Sequence, residues 1–424
     1  GEPVPHEGYC TDVWFTEATK FIEANRDRPF FAYIATNAPH GPFLVAEKYS
    51  RMYEGNPDIP NAAFCGMVTN IDENFGRLEA RLKELGIADN TILIFMTDNG
   101  SDGGLVIGEG ERIVKGYNAG MRGKKGSYYD GGHRVPFFVR WPDGGIGGGK
   151  DIDEMAFHVD LLPTFIDLCG LKAPNGVKFD GISLAGLVHG REAALPDRTQ
   201  FLQYRQDTVP PEKWTNAVVT KQWRLVRGVE LYDIKADPGQ QHDVAARYPE
   251  VVARLREAHE RWWEEISPRL DEYSPISLGN DAENPTRLDA MDVMGDMAFS
   301  QNYIVLAKKS TGKWTVDVER PGAYRFSLRR WPKELGLPIG AVVSPKEARS
   351  LTFADGSGRC ATIRPARARL RLFDREWVLP VDPDAPEVTF TLHLTRTGVT
   401  VLEAWFMDAD GDERGAYYVY VERV

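Results

Sequence analysis

TILIFMTDNGSDGG (Thr91–Gly104) sets six residues suited to a buried strand directly before Asp98-Asn99-Gly100 and a run of glycine. A carboxylate and an amide at the tip of so apolar a strand offer hard oxygen donors. Such donors suit calcium or magnesium better than zinc. The same triplet is also good turn chemistry. Two donors do not fill a calcium shell of roughly six to eight oxygens, so further carboxylates must come from elsewhere.

Working outward, Thr11 to about Asn25 carries a helical stripe (Val13, Ala18, Phe21, Ile22), with Thr11 as a candidate N-cap. RPFFAYIAT (Arg28–Thr36) is nearly continuously apolar, as expected of a parallel strand covered on both faces. From Ala62 to Leu85 the apolar positions step by three and four, and Gly86 closes that helix. RVPFFVRWP (Arg134–Pro142) reads as a further buried strand, and the stretch ending in HVDLLPTFIDLCG as a strand end followed by a helix. Helix, strand, helix, strand is an α/β order with a parallel or mostly parallel sheet flanked by helices. Ligands of such sheets bind beyond the carboxyl ends of the strands. NAPHGP (Asn37–Pro42) and Asp98-Asn99-Gly100 both fall at that rim. The Gly-rich, basic stretch from Gly100 to Gly132 reads as a long loop over it.

After about Leu195 the pattern alternates in the manner of antiparallel strands. A helix follows at Pro249–Ile266, then a linker, SPISLGNDAENP (Ser274–Pro285). From about Thr286 the chain reads as an all-β sandwich. The expected domains are therefore residues 1–194, an α/β domain; 195–279, a small antiparallel subdomain with a helix; and 280–424, a β-sandwich.

Composition narrows the function classes. The chain of 424 residues is 42% hydrophobic and 27% charged, with a net charge of −11. The acidic balance argues against nucleic acid as the main partner. No apolar run approaches the roughly 20 residues that span a bilayer. Cys10, Cys65, Cys169 and Cys360 fit no zinc motif or disulfide framework and read as scattered buried thiols.

Other residues can carry chemistry. His40, held between Pro39 and Pro42, is a candidate for proton transfer or anion contact, or else a plain loop histidine. RGKKGSYYDGGHRVP (Arg122–Pro136) flanks its lysines with glycine, so a lysine at the rim could bind an anionic substrate. The alternative is a solvated basic loop. DADGDERG (Asp408–Gly415) begins like a calcium loop, but Val419 stands at its twelfth position. It reads as a hairpin turn. Trp314, Trp331 and Trp405 read as core aromatics, with stacking on sugar rings as the alternative.

Taken in order, NAPHGP, FMTDNG, GKKGSYYDGGHRVPFFVRWP, HVDLLPTFIDLCG and ELYDIKADPGQQHDVA resemble the sulfatase family, over roughly residues 8–275. The likeness is to bacterial arylsulfatase A-like enzymes of the alkaline-phosphatase superfamily. It implies a sulfuric ester hydrolase with a calcium (or magnesium) site to which Asp98 and Asn99 contribute. His40 is then the residue at the sulfate ester that assists proton transfer to the leaving group. Lys125 holds a sulfate oxygen, with Lys124 as the alternative. The implied partner is a sulfated small molecule or glycan, in a periplasmic or secreted setting. The family's nucleophile is a formylglycine made from a Cys-x-Pro-x-Arg or Ser-x-Pro-x-Arg motif. CTDVW, CGMVT, CGLKA and CATIR all lack that pattern. The family's Asp-Asp metal ligands and Lys-x-His motif are missing too, so the resemblance implies a possible missing N-terminal segment. An inactive and poorly soluble chain is then expected. A phosphate or phosphonate monoester hydrolase of the same superfamily, or a non-catalytic glycan-binding or scaffold protein, are the competing readings.

Overall fold

The computed structural model describes residues 4–192, 194–205, 209–343 and 360–424. The described residues of Gly1–Tyr204 and Glu212–Glu265 form one compact unit. Those of Arg205–Pro211 and Ile266–Val424 form a second.

The first unit opens with helix α1 (Cys10–Asn25), a single turn α2 (Glu47–Ser50) and the long α3 (Ala62–Glu84). Tyr9, not Thr11, occupies the N-cap of α1. The Asn61 side chain caps α3 by accepting from the Phe64 amide at 3.0 Å. Gly86 leaves α3 at φ +70°, a left-handed turn that glycine enters without steric cost. Phe15 and Ile22 of α1 pack on Leu78 and Leu82 of α3.

Residues 29–36 run extended beside these helices. Phe30, Ala32 and Ile34 face the helix cluster, while Phe31 and Tyr33 stand 74% and 82% exposed. Among the described residues this backbone makes no backbone–backbone hydrogen bond. The expectation of a parallel strand covered on both faces is therefore corrected: one face packs on the helices, on the other only Phe31 meets a ring, that of Phe165 at 6.4 Å, and no ladder partner is found among the described residues.

Among the described residues, strand β1 (Leu93–Met96) pairs only with β4 (Phe137–Arg140), and the pairing is antiparallel, not parallel as expected. The connection explains it. Parallel neighbours need a crossover that carries the chain back to the starting end. Here the intervening chain stays at the carboxyl end of β1, where Gly100 and Ser101 bond to Gly132 and Lys125. The next strand must then return. That intervening segment is also not one long loop, because β2 (Leu105–Ile107) and β3 (Ile113–Gly116) form a hairpin within it. The α/β mixture of helices and sheets is as expected.

Helix α4 (Leu161–Leu168) starts after a 3-10 turn at His158–Asp160, and Pro163 lies in its first turn; α5 is a single turn (Ala185–Val188). A four-stranded antiparallel sheet follows in the order β5 (Gln200–Gln203), β6 (Asn216–Val219), β7 (Trp223–Val226) and β8 (Glu230–Asp233). Helix α6 (Pro249–Ile266) sets Val251 and Leu255 against Val218, Leu225 and Leu231 of that sheet.

The second unit is a β-sandwich with a short helix, α7 (Gln301–Val305). One sheet runs β10 (Thr286–Asp289), β18 (Tyr418–Arg423), β12 (Gly322–Arg329), β15 (Val388–Leu394). The other runs β14 (Arg375–Pro380), β13 (Arg367–Leu372), β16 (Gly398–Met407), β11 (Lys313–Val318), β9 (Ile276–Leu278), with β17 (Glu413–Gly415) on β16. Inward residues of both sheets, among them Trp314, Tyr324, Phe326, Phe390 and Phe406, form one core. Strand β9 lies inside the stretch read as a linker and pairs in parallel with β11. The Asp408–Gly415 segment is the turn of the β16–β17 hairpin. Trp314 and Trp331 are core residues, whereas Trp405 is half-buried beside the Arg369 guanidinium. All four cysteines are free, but Cys169 is exposed and the others are half-buried, against the expectation of buried thiols.

Candidate functional site

The carboxyl end of β1 holds the site together through backbone contacts. The Gly100 amide donates to the Gly132 carbonyl at 3.0 Å, and the Lys125 amide donates to the Ser101 carbonyl at 3.0 Å. A Cβ at Gly100 would lie 1.8 Å from the Gly131 carbonyl oxygen, so only glycine permits this approach. A Cβ at Gly103 would lie 2.4 Å from the Phe43 ring, which seats the loop carrying His40 on the same segment. Three loops, bearing His40, Asp98-Asn99 and Lys125, thus meet along residues 100–103.

At the tip, Thr97 Oγ1 donates to the Asn99 carbonyl and Asn99 Nδ2 donates to the Gly100 carbonyl at 2.9 Å. The amide oxygen of Asn99 has no hydrogen-bond partner among the described residues. Asp98 is exposed and makes no ion pair among the described residues. Two uncommitted hard oxygens on adjacent residues fit a divalent cation as part of its shell. Among the described residues no group of three His, Cys, Asp or Glu forms a complete cage.

The two neighbouring lysines differ. Lys124 Nζ is bonded to Asp102 at 2.7 Å, whereas the Lys125 ammonium has no hydrogen-bonding or ionic partner among the described residues. His40 is exposed, and its Nδ1 lies 2.7 Å from the Gly41 carbonyl. That acceptor puts the proton on Nδ1 and leaves Nε2 free. Trp14 Nε1 anchors the same loop by donating to Asn37 Oδ1 at 3.1 Å.

Beneath the Lys125 loop lies a buried polar clamp that the sequence did not disclose. Asp130 is fully buried and accepts from Arg224 Nε at 2.8 Å. Its backbone amide donates to Oε1 of the buried Gln240 at 2.7 Å. Arg122 donates to the Tyr232 hydroxyl at 2.9 Å and lies over the Tyr129 ring, 3.7 Å from its centroid. Burial, and then the bond to Glu230, push the Tyr129 phenol up to about 12. Burial lowers the pKa of His133, favouring the neutral imidazole, despite the opposing pull of Asp130. The ELYDIKADPGQQHDVA segment thus supplies Tyr232 and Gln240 as braces for the loop. A small cleft of about 90 Å³, lined by Glu154, Arg198 and Lys221 among others, includes none of the candidate residues.

The family model described as Sulfatase matches residues 2–171, and the C-terminal model of N-sulphoglucosamine sulphohydrolase matches residues 123–264. Together the two models span residues 2–264, so this part of the chain is similar to sulfatases. It is 26% identical over 321 residues to the uncharacterized sulfatase YdeN of Escherichia coli (strain K12), covering 66% of this chain and 55% of that protein. It is 27% identical to an N-acetylgalactosamine-6-O-sulfatase of Bacteroides thetaiotaomicron, covering 58% and 49%. Among solved structures, Ps i-CgsB in complex with k-i-k-neocarrahexaose superposes with a TM-score of 0.53 at 29% identity, covering 62% of this chain and 56% of that one. The chain spans about half the length of these curated relatives. Among the described residues no helix is long and apolar enough to cross a membrane.

Proposed function

We propose that this chain carries a sulfatase-type sulfuric ester hydrolase site, at a rim formed by His40, Asp98, Asn99 and Lys125. The observation that carries the reading is the knot of glycine contacts that gathers their three loops onto residues 100–103. Asp98 and Asn99 would hold a calcium or magnesium ion with donors from elsewhere. Bound there, the cation would supply Lewis-acid stabilisation of negative charge on the sulfate. Lys125, whose charge is uncommitted, binds a sulfate oxygen, while Lys124 is neutralised by Asp102. His40 presents a ring nitrogen for proton transfer at the leaving oxygen. The clamp of Asp130, Arg224 and Gln240 fixes the Lys125 loop, so that the ammonium is positioned before substrate arrives.

No Cys-x-Pro-x-Arg or Ser-x-Pro-x-Arg motif occurs in these residues, so this chain alone is read as binding sulfate without turning it over. The reading takes a periplasmic or secreted setting, and the relatives' names support a sulfated glycan as partner. The test is calorimetric titration of inorganic sulfate into the full chain with calcium present. Lys125→Ala is expected to weaken binding about tenfold or more, as befits loss of a charged contact. Lys124→Ala is expected to change it little. Equal affinities of the parent and Lys125→Ala, or hydrolysis of nitrocatechol sulfate by the parent, overturn the respective halves of this reading.

A further inference from the structure

The loop that carries Lys125 is closed at its base. The Gly131 amide donates to the Arg122 carbonyl at 2.8 Å, and a Cβ at Gly131 would lie 2.5 Å from that oxygen. Lys125 follows closely on the Arg122 end, so the way that end is held sets where the ammonium lies. The Arg122 side chain is only 10% exposed and joins three pieces of the same unit. Its Nε donates to the Gly110 carbonyl at 2.6 Å, at the tip of the β2–β3 hairpin. Its Nη1 donates to the Tyr232 hydroxyl at 2.9 Å, on β8, and to the Gln240 carbonyl at 3.2 Å, beyond it. Its guanidinium lies 3.7 Å from the centroid of the Tyr129 ring, on the returning limb of the lysine loop. Glu230 locks the two rings together: Oε2 accepts from the Tyr129 hydroxyl at 2.8 Å and from the Tyr232 hydroxyl at 2.5 Å.

We infer that Arg122 is a positioning residue for the sulfate-binding Lys125, fixing the lysine loop to both the β2–β3 hairpin and the β5–β8 sheet. The inference rests on the proposed role of Lys125 and adds the residue through which the rest of the unit sets that role. A guanidinium presents its donors in a rigid planar fork, so the pieces bonded to it share one mutual arrangement. An ammonium on a flexible stem would hold any one of them and leave the others free. The hairpin begins at Leu105, directly after the rim residues 100–103. Arg122 therefore ties the lysine loop to the strand tip a second time, besides the bond from the Lys125 amide to the Ser101 carbonyl. Its own donors point at carbonyls, a hydroxyl and a ring, so it acts on the anion through Lys125.

The test is a double-mutant cycle in the full chain, with calcium present and inorganic sulfate as the probe. Arg122→Gln is expected to weaken sulfate binding about fivefold or more, the cost of a misplaced contact. In the Lys125→Ala background the same change is expected to cost less than about twofold, because no ammonium is left to misplace. Arg122→Lys keeps the charge without the fork and is expected to behave as Arg122→Gln does. Tyr232→Phe removes one acceptor and keeps the ring, so it tests the same coupling should Arg122→Gln fail to fold. It is expected to weaken sulfate about twofold to threefold, again only where Lys125 is present. Equal losses in the two backgrounds, full recovery by Arg122→Lys, or undiminished binding by Arg122→Gln overturn the positioning role and leave the Lys125 reading standing. Sulfate binding that ignores Lys125→Ala removes the underlying reading instead.

Discussion

In the β-sandwich, Trp314, Tyr324, Phe326 and Phe406 are wholly buried between two sheets. In the α/β layer of the first unit, Phe31, Tyr33 and Phe138 stand 74%, 82% and 65% exposed, and no residue of β1 is fully buried although all four are apolar. Both regions were written with the apolar density of sheet interiors. The sandwich supplies an opposing inner face for each of its sheets within the same unit. The α/β layer is covered by α1 and α3 and, more loosely, by α4, whose Phe165 meets Phe31 at 6.4 Å between centroids, and the backbone of 29–36 pairs with nothing described. Apolar sequence states a demand for burial, and topology decides whether it is met.

The sharpest way to break this contrast is to truncate one residue in each region. Trp314→Ala is expected to lower stability by about 3–5 kcal/mol, the usual cost of removing a large core aromatic, measured by denaturant unfolding followed through the second unit. A loss below about 1 kcal/mol would mean that the sandwich core is not the tight packing described. The second effect separates the units by pH. His259 is buried, stacks on Trp214 at 3.7 Å between centroids, and lies 2.7 Å from Asn216 Nδ2. Burial lowers its pKa to about 4. Between pH 6.5 and 4 the unfolded chain then binds a proton that the folded chain does not. Stability is intact above that window and falls as the solution is acidified through it, by about 3 kcal/mol for this group. Unfolding of the first unit at pH 7 and pH 4 measures it, and His259→Gln should flatten the slope. A slope unaltered by that substitution would assign the acid sensitivity to other groups. The smallest effect is the most telling. Phe31→Ser with Tyr33→Ser is expected to shift unfolding by less than about 0.5 kcal/mol each, because exposed side chains have little to lose. Light scattering should nevertheless fall, because two aromatics leave a free strand edge. A large loss of stability would show that those rings are buried in solution.

Much of the scaffold was legible in the sequence. Helices α3 and α6 carry long stripes at helical spacing, and β1 announces itself by five consecutive apolar residues, Ile92 to Met96, before a turn. Pairing direction was not legible, because a continuous apolar run reports burial and carries no information on which way its neighbour points. The β2–β3 hairpin hid among glycines that read as loop, and β9 hid between Pro275 and Gly279. At the site, the position of Asp98 and Asn99 followed from the end of β1, whereas His40 follows the unpaired stretch 29–36 and Lys125 lies inside the segment between β3 and β4. The clamp was not legible, since Asp130 meets Arg224 and Gln240 across 94 and 110 residues of chain.

The close approach of Gly100 to the Gly131 carbonyl makes two distant stretches of chain a single inherited part. Recombination between related genes with a breakpoint inside the β2–β3 hairpin would join one parent's strand tip to the other parent's lysine loop, and any mismatch of shape would fall on a contact with no room for a methyl group. Shuffling for new specificity should therefore exchange residues 97–132 whole.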